Sequence, residues 1–202
     1  MRARQLGLFG HSELAFDASF ARVRRVELAH GAWVEHVPGW VSGEGTLFDT
    51  LDRTTSWRQE RMHMYEHEVD VPRLIAVLPD DGPGDPILAE MRAALDARYR
   101  ERFVRTSLAL YRDGRDSVAF HGDTTARDRL EACVATVSLG APRRLLLRPT
   151  EGGGRSLPFA LGGGDLFVMG GTCQRTWRHG SPKVASAAPR IALMFRPRWG
   201  DT

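Results

Sequence analysis

Arg155-Ser-Leu-Pro-Phe-Ala-Leu-Gly-Gly-Gly-Asp-Leu-Phe-Val-Met169 holds two short runs, Arg155–Leu161 and Asp165–Met169, parted by three glycines. Each run is too short for an ordinary helix, and the glycines supply turn-forming backbone freedom, so both read as strands joined by a hairpin turn. The same texture recurs on either side. Thr106–Arg112, Ser117–Asp123, Cys133–Leu139, Arg143–Arg148, Thr176–Gly180 and Arg190–Arg196 are short and β-rich, with turn residues such as Asp113-Gly114 and Gly152–Gly154 between most of them. Short strands at this spacing predict a double-sheet jelly roll or a related barrel. The glycine runs lack the strand-to-helix setting and the Lys-Ser/Thr ending of a phosphate cradle, so they are taken as turns.

Upstream the pattern changes. Phe20–Leu28 alternates like a strand, Gly43–Trp57 places Leu47, Phe48 and Leu51 at helical spacing, and Arg61–Leu78 reads as extended segments. After an evident loop at residues 80–86, Ile87–Phe103 carries the apolar stripe Leu88, Met91, Leu95 and Tyr99 of a helix. The expected class is therefore mainly β with an N-terminal α/β extension. Residues 1–12 form a loose tail, 13–103 a mixed helix-and-strand half, and 104–202 the jelly-roll core of one domain.

Composition is that of a globular protein, 42% hydrophobic and 26% charged over 202 residues, with no apolar run of membrane-spanning length. The N-terminus lacks the sustained apolar stretch of a signal peptide, and Cys133 and Cys173 read as reduced thiols, so a cytoplasmic location without membrane attachment is expected. A net charge of +3, nearly all of it from arginine, permits a nucleic-acid partner without requiring one.

His121 and Asp123 lie two apart in a predicted strand, so their side chains share a face and can converge on one ion. A distant histidine, His179, sits in a later strand. Two imidazoles and one carboxylate on one side of a metal leave three positions open, the arrangement of non-haem Fe(II) oxygenases. Zinc is a competing occupant, although catalytic zinc usually keeps one open position. Arg190 and Arg196 share a face of the last strand. Two inward guanidinium groups call for an anion, and a dicarboxylate that chelates the metal would answer both; rim positions are the alternative.

These residues resemble the AlkB-type 2-oxoglutarate- and Fe(II)-dependent dioxygenases that repair alkylated nucleic acid. The likeness runs from about Tyr65 to Arg196 through Leu110-Tyr-Arg-Asp-Gly114, Asp116-Ser-Val118, His121-x-Asp123, Val137-Ser-Leu-Gly140, Gly164-Asp-Leu166, Gly170-Gly171, His179-Gly-x-Pro182 and Arg190-(x)5-Arg196. It implies a double-stranded β-helix with iron on His121, Asp123 and His179. It further implies that Tyr111 and Arg190 hold the distal carboxylate of 2-oxoglutarate, with Arg196 near the chelating end. The implied chemistry couples O2 and 2-oxoglutarate to hydroxylation of an N-alkyl group, which leaves as an aldehyde from a base taken out of the stack.

Trp57, Met64, Tyr65 and Arg73 are the expected nucleotide-lid residues, with core packing an equal alternative for Trp57 and Met64. The chain departs from the family at Ala109 and Ala192, where asparagines are common, and at Thr124-Thr125-Ala126, where repair enzymes often carry an acidic pair. Alkylated DNA, or RNA, is the expected partner of a monomer; the alternatives are the same chemistry on RNA or a small metabolite, and an inactive nucleic-acid-binding relative. In the tail, Gln5, Leu6, Leu8 and Phe9 resemble a peptide that docks on the bacterial sliding clamp.

Overall fold

A computed structural model describes residues 13–64, 67–79, 85–123, 129–151 and 154–197. Among them the strands are β1 (Ala15–Phe16), β2 (Arg24–Glu27), β3 (Ala32–Val37), β4 (Val41–Ser42), β5 (Arg58–Met64), β6 (His67–Leu78), β7 (Phe103–Tyr111), β8 (Val118–His121), β9 (Val134–Gly140), β10 (Arg143–Pro149), β11 (Leu157–Leu161), β12 (Leu166–Gly171), β13 (Trp177–Ser181) and β14 (Arg190–Pro197). The helices are α1 (Glu44–Thr54), α2 (Pro86–Tyr99) and α3 (Cys173–Thr176). A large sheet runs β2-β3-β12-β9-β14-β7-β6-β5, and a small one runs β11-β10-β13-β8, in the manner of a jelly roll. β1 and β4 form a separate pair.

Strand alternation sorts the side chains into two packing layers. Leu108 and Leu110 of β7, Val137 and Leu139 of β9, and Ile191, Leu193 and Phe195 of β14 face α1 and α2, where they meet Leu47, Phe48, Leu51, Leu88, Met91 and Leu95. The opposite face of the large sheet packs on the small one: Phe167 and Met169 of β12 join Val34, Val134, Leu147, Leu161 and Trp177. Strands that precede Phe103 thus flank, on both sides, the four central strands that begin at or after it in one sheet.

Several sequence expectations need correction. Only Arg24–Glu27 of the Phe20–Leu28 segment is a strand, because the Asp17 carboxylate accepts from the Ser19 and Ala21 amides and turns the chain, leaving Phe20 at φ 54°. β3 was not foreseen. α2 stops at Tyr99 rather than Phe103: Arg100 adopts a left-handed backbone, and the Phe103 amide donates to Asp96. Thr176 closes α3 before β13 begins, and β8 ends at His121, short of Asp123.

The glycines at 162–164 do not make a hairpin, since β11 and β12 belong to different sheets. They carry the chain across the fold. The crossing is held by the Gly164 amide on Ser138 O (2.7 Å), the Val41 amide on Gly164 O (2.9 Å) and Asp165 on the Gly162 amide. β10 and β11 are antiparallel neighbours, as the expected turn at 152–154 requires.

Gly164 sits at φ 84°, and a Cβ there would lie 2.3 Å from Val41 O. Left-handed backbone alone costs a non-glycine residue about 1–3 kcal/mol. Gly164→Ala should therefore lower stability by at least that amount, read as a lower urea midpoint with an unchanged m-value.

Candidate active site

The register of the small sheet places His179 of β13 directly opposite His121 of β8, with ring centroids 4.3 Å apart. Gly122 then lets the chain pass close beneath α3, since a Cβ on it would fall 2.5 Å from Gln174 O. The turn brings Asp123 back to the imidazoles. Its Oδ1 lies 3.6 Å from His121 Nε2 and 4.0 Å from His179 Nε2. One donor atom from each of the three residues falls within 4.8 Å of the others.

The hydrogen bonds around these donors leave the correct atoms for a metal. Ala119 O can only accept, so His121 Nδ1 (2.9 Å) must carry the proton, and the Nε2 lone pair faces inward. Arg196 Nε donates to Asp123 Oδ2 at 2.7 Å, leaving Oδ1 toward the histidines. Gln174 Oε1 accepts from the Asp123 amide at 3.0 Å. Burial pushes the Asp123 carboxyl up, but Arg196 and then His179 outweigh it and hold it at about 2. Desolvation pulls His179 down to about 4, despite attraction to Asp123. At neutral pH Asp123 is thus a carboxylate and His179 a neutral imidazole, and with Nε2 of His121 turned toward them the three residues form a set that fits a divalent ion.

The triad opens on a cavity of about 230 Å³ walled by both sheets. Arg190, Ala192, Met194 and Arg196 of β14 and Ser107, Ala109 and Tyr111 of β7 line it. Ala109 and Ala192 are register partners, so together they make a small apolar patch along this wall. Arg190 is buried; its Nε donates to Ser138 Oγ at 2.9 Å, and its guanidinium lies 5.3 Å from the Tyr111 ring. Desolvation, reinforced by Arg143, holds its pKa below the usual arginine value.

Arg143, also buried, donates to Asp113 O, Asp116 O and Pro182 O at 2.8–3.0 Å, while its Nε has no partner. It sits 5.5 Å from the same Tyr111 ring. Two cations therefore flank one tyrosine with no carboxylate between them among the described residues, an arrangement that asks for an anion.

The structure gathers the expected His121, Asp123, His179, Tyr111, Arg190 and Arg196 around one cavity, and Arg73 also lines it. Trp57 is placed elsewhere: it packs half-buried on the helix-side core with its Nε1 on Asp52 O, and it does not line the cavity. The Met64 side chain, Tyr65, Thr124, Thr125, Ala126 and the tail residues Gln5, Leu6, Leu8 and Phe9 lie outside the described residues. Arg143, Ser138 and Gln174 were not anticipated. Ser138 alone had a signal, as a polar residue within the apolar run of β9.

The profile of the 2OG-Fe(II) oxygenase superfamily matches residues 79–196. The human alpha-ketoglutarate-dependent dioxygenase alkB homolog 3 is 30% identical over 204 residues, covering 95% of this chain and 68% of that protein. The chain is an AlkB-type member of the 2OG-Fe(II) oxygenase superfamily. The family brings with it Fe(II) and 2-oxoglutarate, and the His-Asp-His set fits the metal. DNA oxidative demethylase ALKBH2 of Arabidopsis thaliana is 25% identical, covering 86% of this chain and 68% of that one.

The chain spans 61% of a mimivirus relative and 65% of the bovine homolog 3, somewhat less than two thirds of each. Among solved structures, OsALKBH1 superposes with a TM-score of 0.61 at 13% identity, over 87% of this chain and 100% of that chain, a likeness of fold. Within this AlkB-type fold, the jelly-roll expectation holds.

Because His179 takes up a proton near pH 4 when folded and near 6.5 when unfolded, the unfolded chain binds more protons between those values. Its contribution makes the metal-free protein less stable as pH falls through that window. Urea unfolding in a chelator at pH 7 and pH 5 should show the loss, and His179→Gln should reduce it.

Proposed function

We propose that this AlkB-type chain removes N-alkyl groups from bases in DNA, using Fe(II), 2-oxoglutarate and O2. The observation that carries the reading is one cavity with a metal-binding triad and a buried, uncompensated pair of guanidinium groups on its walls. A ligand with two carboxyl-bearing ends suits such a space. The relatives named above, an alkB homolog 3 dioxygenase and a DNA oxidative demethylase, supply the alkylated-base substrate class.

His121, Asp123 and His179 would hold the iron. Bound iron and 2-oxoglutarate supply the oxidising power that places oxygen on an alkyl carbon. Arg190 presents a desolvated cation to the distal carboxylate, with Tyr111 beside it, and Ser138 fixes the guanidinium by its Nε. Arg196 keeps Asp123 ionised and aims its free oxygen. The Ala109–Ala192 pair makes one stretch of the pocket wall apolar, with Ser138 on the far side of Ala192 in register. That feature, with Thr124-Thr125-Ala126 directly after Asp123, also supports a second reading in which RNA or a small metabolite is oxidised by the same chemistry. Gln5, Leu6, Leu8 and Phe9 supply a candidate tether to the sliding clamp; deleting residues 1–10 should abolish clamp binding and leave uncoupled turnover intact.

The deciding assay follows succinate and aldehyde release with N-methylated DNA, N-methylated RNA and no nucleic acid. Aldehyde from DNA supports the leading reading. Release from RNA alone, or succinate formation indifferent to nucleic acid, transfers support to the second. A metal-bound protein that forms no succinate under any condition overturns both. Within this scheme Arg190→Met should raise the KM for 2-oxoglutarate about tenfold to a hundredfold, the value of a hydrogen bond to a charged group. Its affinity for Co(II), read from visible absorbance, should not change.

A further inference from the structure

The inner face of the small sheet carries His121 and His179, and its outer face has a chemistry of its own. Strand alternation puts Arg144, Leu146 and Arg148 of β10 outside, with Arg178 of β13 and Phe120 of β8. Arg148 and Arg178 are direct register partners, so two like charges face each other across neighbouring strands. Such a pair is unfavourable without an anion to share. The four strands contain four arginines and no aspartate or glutamate. Arg144, Arg148 and Arg178 are exposed, and among the described residues none pairs with a carboxylate.

Elsewhere Arg25, Arg98, Arg112, Arg129 and Arg196 each meet an acidic side chain. On the outer face Arg148 instead lies 4.0 Å over the Phe120 ring, which holds its guanidinium flat against the sheet. β8 is the edge strand, and Phe120 precedes the ligand His121. A chain draped over this face can turn the edge of β8 and reach the cavity.

We infer that the outer face of the small sheet, through Arg144, Arg148 and Arg178, binds the phosphate backbone of the nucleic-acid strand whose base enters the cavity. The inference rests on the nucleic-acid reading of that cavity. Guanidinium groups spaced along one strand and across to the next match a run of phosphates, with Arg148 set in place by the Phe120 ring beneath it. The interaction is sequence-independent and therefore salt-dependent.

The test is the double variant Arg148→Gln/Arg178→Gln, assayed by fluorescence anisotropy on an unmodified oligothymidylate across a KCl series. Every phosphate of a single strand that is no longer neutralised reduces the slope of log K against log salt by about 0.7, so the slope of the double variant should be shallower by about 1.4. Melting temperature and uncoupled 2-oxoglutarate turnover should match the wild type, because neither arginine touches the cavity. If the wild type binds and dealkylates DNA while the variant shows the same affinity and slope, this inference fails and the proposed function stands. If the variant loses binding but the wild type never removes an alkyl group, the surface stands and the dealkylation reading fails. A wild type that binds no oligonucleotide overturns both.

Discussion

A carboxylate that is to hold a metal must stay ionised where little water reaches it, and the ion pair between Arg196 and Asp123 meets that condition. The pair crosses the fold, from β14 in the large sheet to the turn after β8 in the small one. It therefore sets the reach between the sheets at the metal site. It also divides the work of the carboxylate: Oδ2 is committed to the guanidinium, and Oδ1 faces His121 and His179. Buried charges of this kind are costly to separate, since either partner left alone would be an uncompensated ion. Arg196 is further held by Ser107 and Met194, so its position is set by β7 and β14 rather than by the metal.

From that pair the cavity acquires a charge gradient. One end carries the anionic ligand set; the other carries Arg190 and Arg143, which no carboxylate in the described residues neutralises. The wall between includes two alanines in register. A small dicarboxylate bridging this space would join metal to cation and remove the electrostatic cost of Arg190's burial. The lowered pKa of Arg190 reports that cost, set first by desolvation and then by Arg143. The charged contacts for such a ligand thus lie at its two ends.

The parts legible in the sequence were those governed by local geometry. Period two puts Arg190 and Arg196 on one face; His121 and Asp123 converge as their spacing suggests, but through the turn after β8 rather than by strand alternation. The spacing of Leu47, Phe48 and Leu51 likewise marks α1. What stayed hidden depended on partners far along the chain. Glu35 interrupts the apolar pattern of β3, yet it is buried against Arg98 and Tyr99, more than 60 residues away. Arg143 looks like any arginine in Arg143-Arg144 until Asp113, Asp116 and Pro182 fold over it. Trp57 reads equally as a lid or as core, and only the packing of α1 and β5 assigns it to the core. The glycines at 162–164 read as a hairpin because pairing between sheets leaves no local trace.

The small sheet shows why a thin scaffold suits this chemistry. Consecutive residues of β13 point in opposite directions, so Arg178 faces solvent while His179 faces the metal site. Leu147 and Arg148 do the same on β10, where Leu147 pairs with His179 and Arg148 with Arg178. A ligand held outside is then one sheet thickness from the ligand set inside, and rigid pairing links the two faces without a hinge. The edge position of β8 completes the route, because that strand ends at His121 and gives way to Gly122, whose missing Cβ admits the carbonyl of Gln174. Gln174 in turn fixes the Asp123 amide. The metal site is therefore built where the sheet stops, on the side from which an extended polymer can reach it.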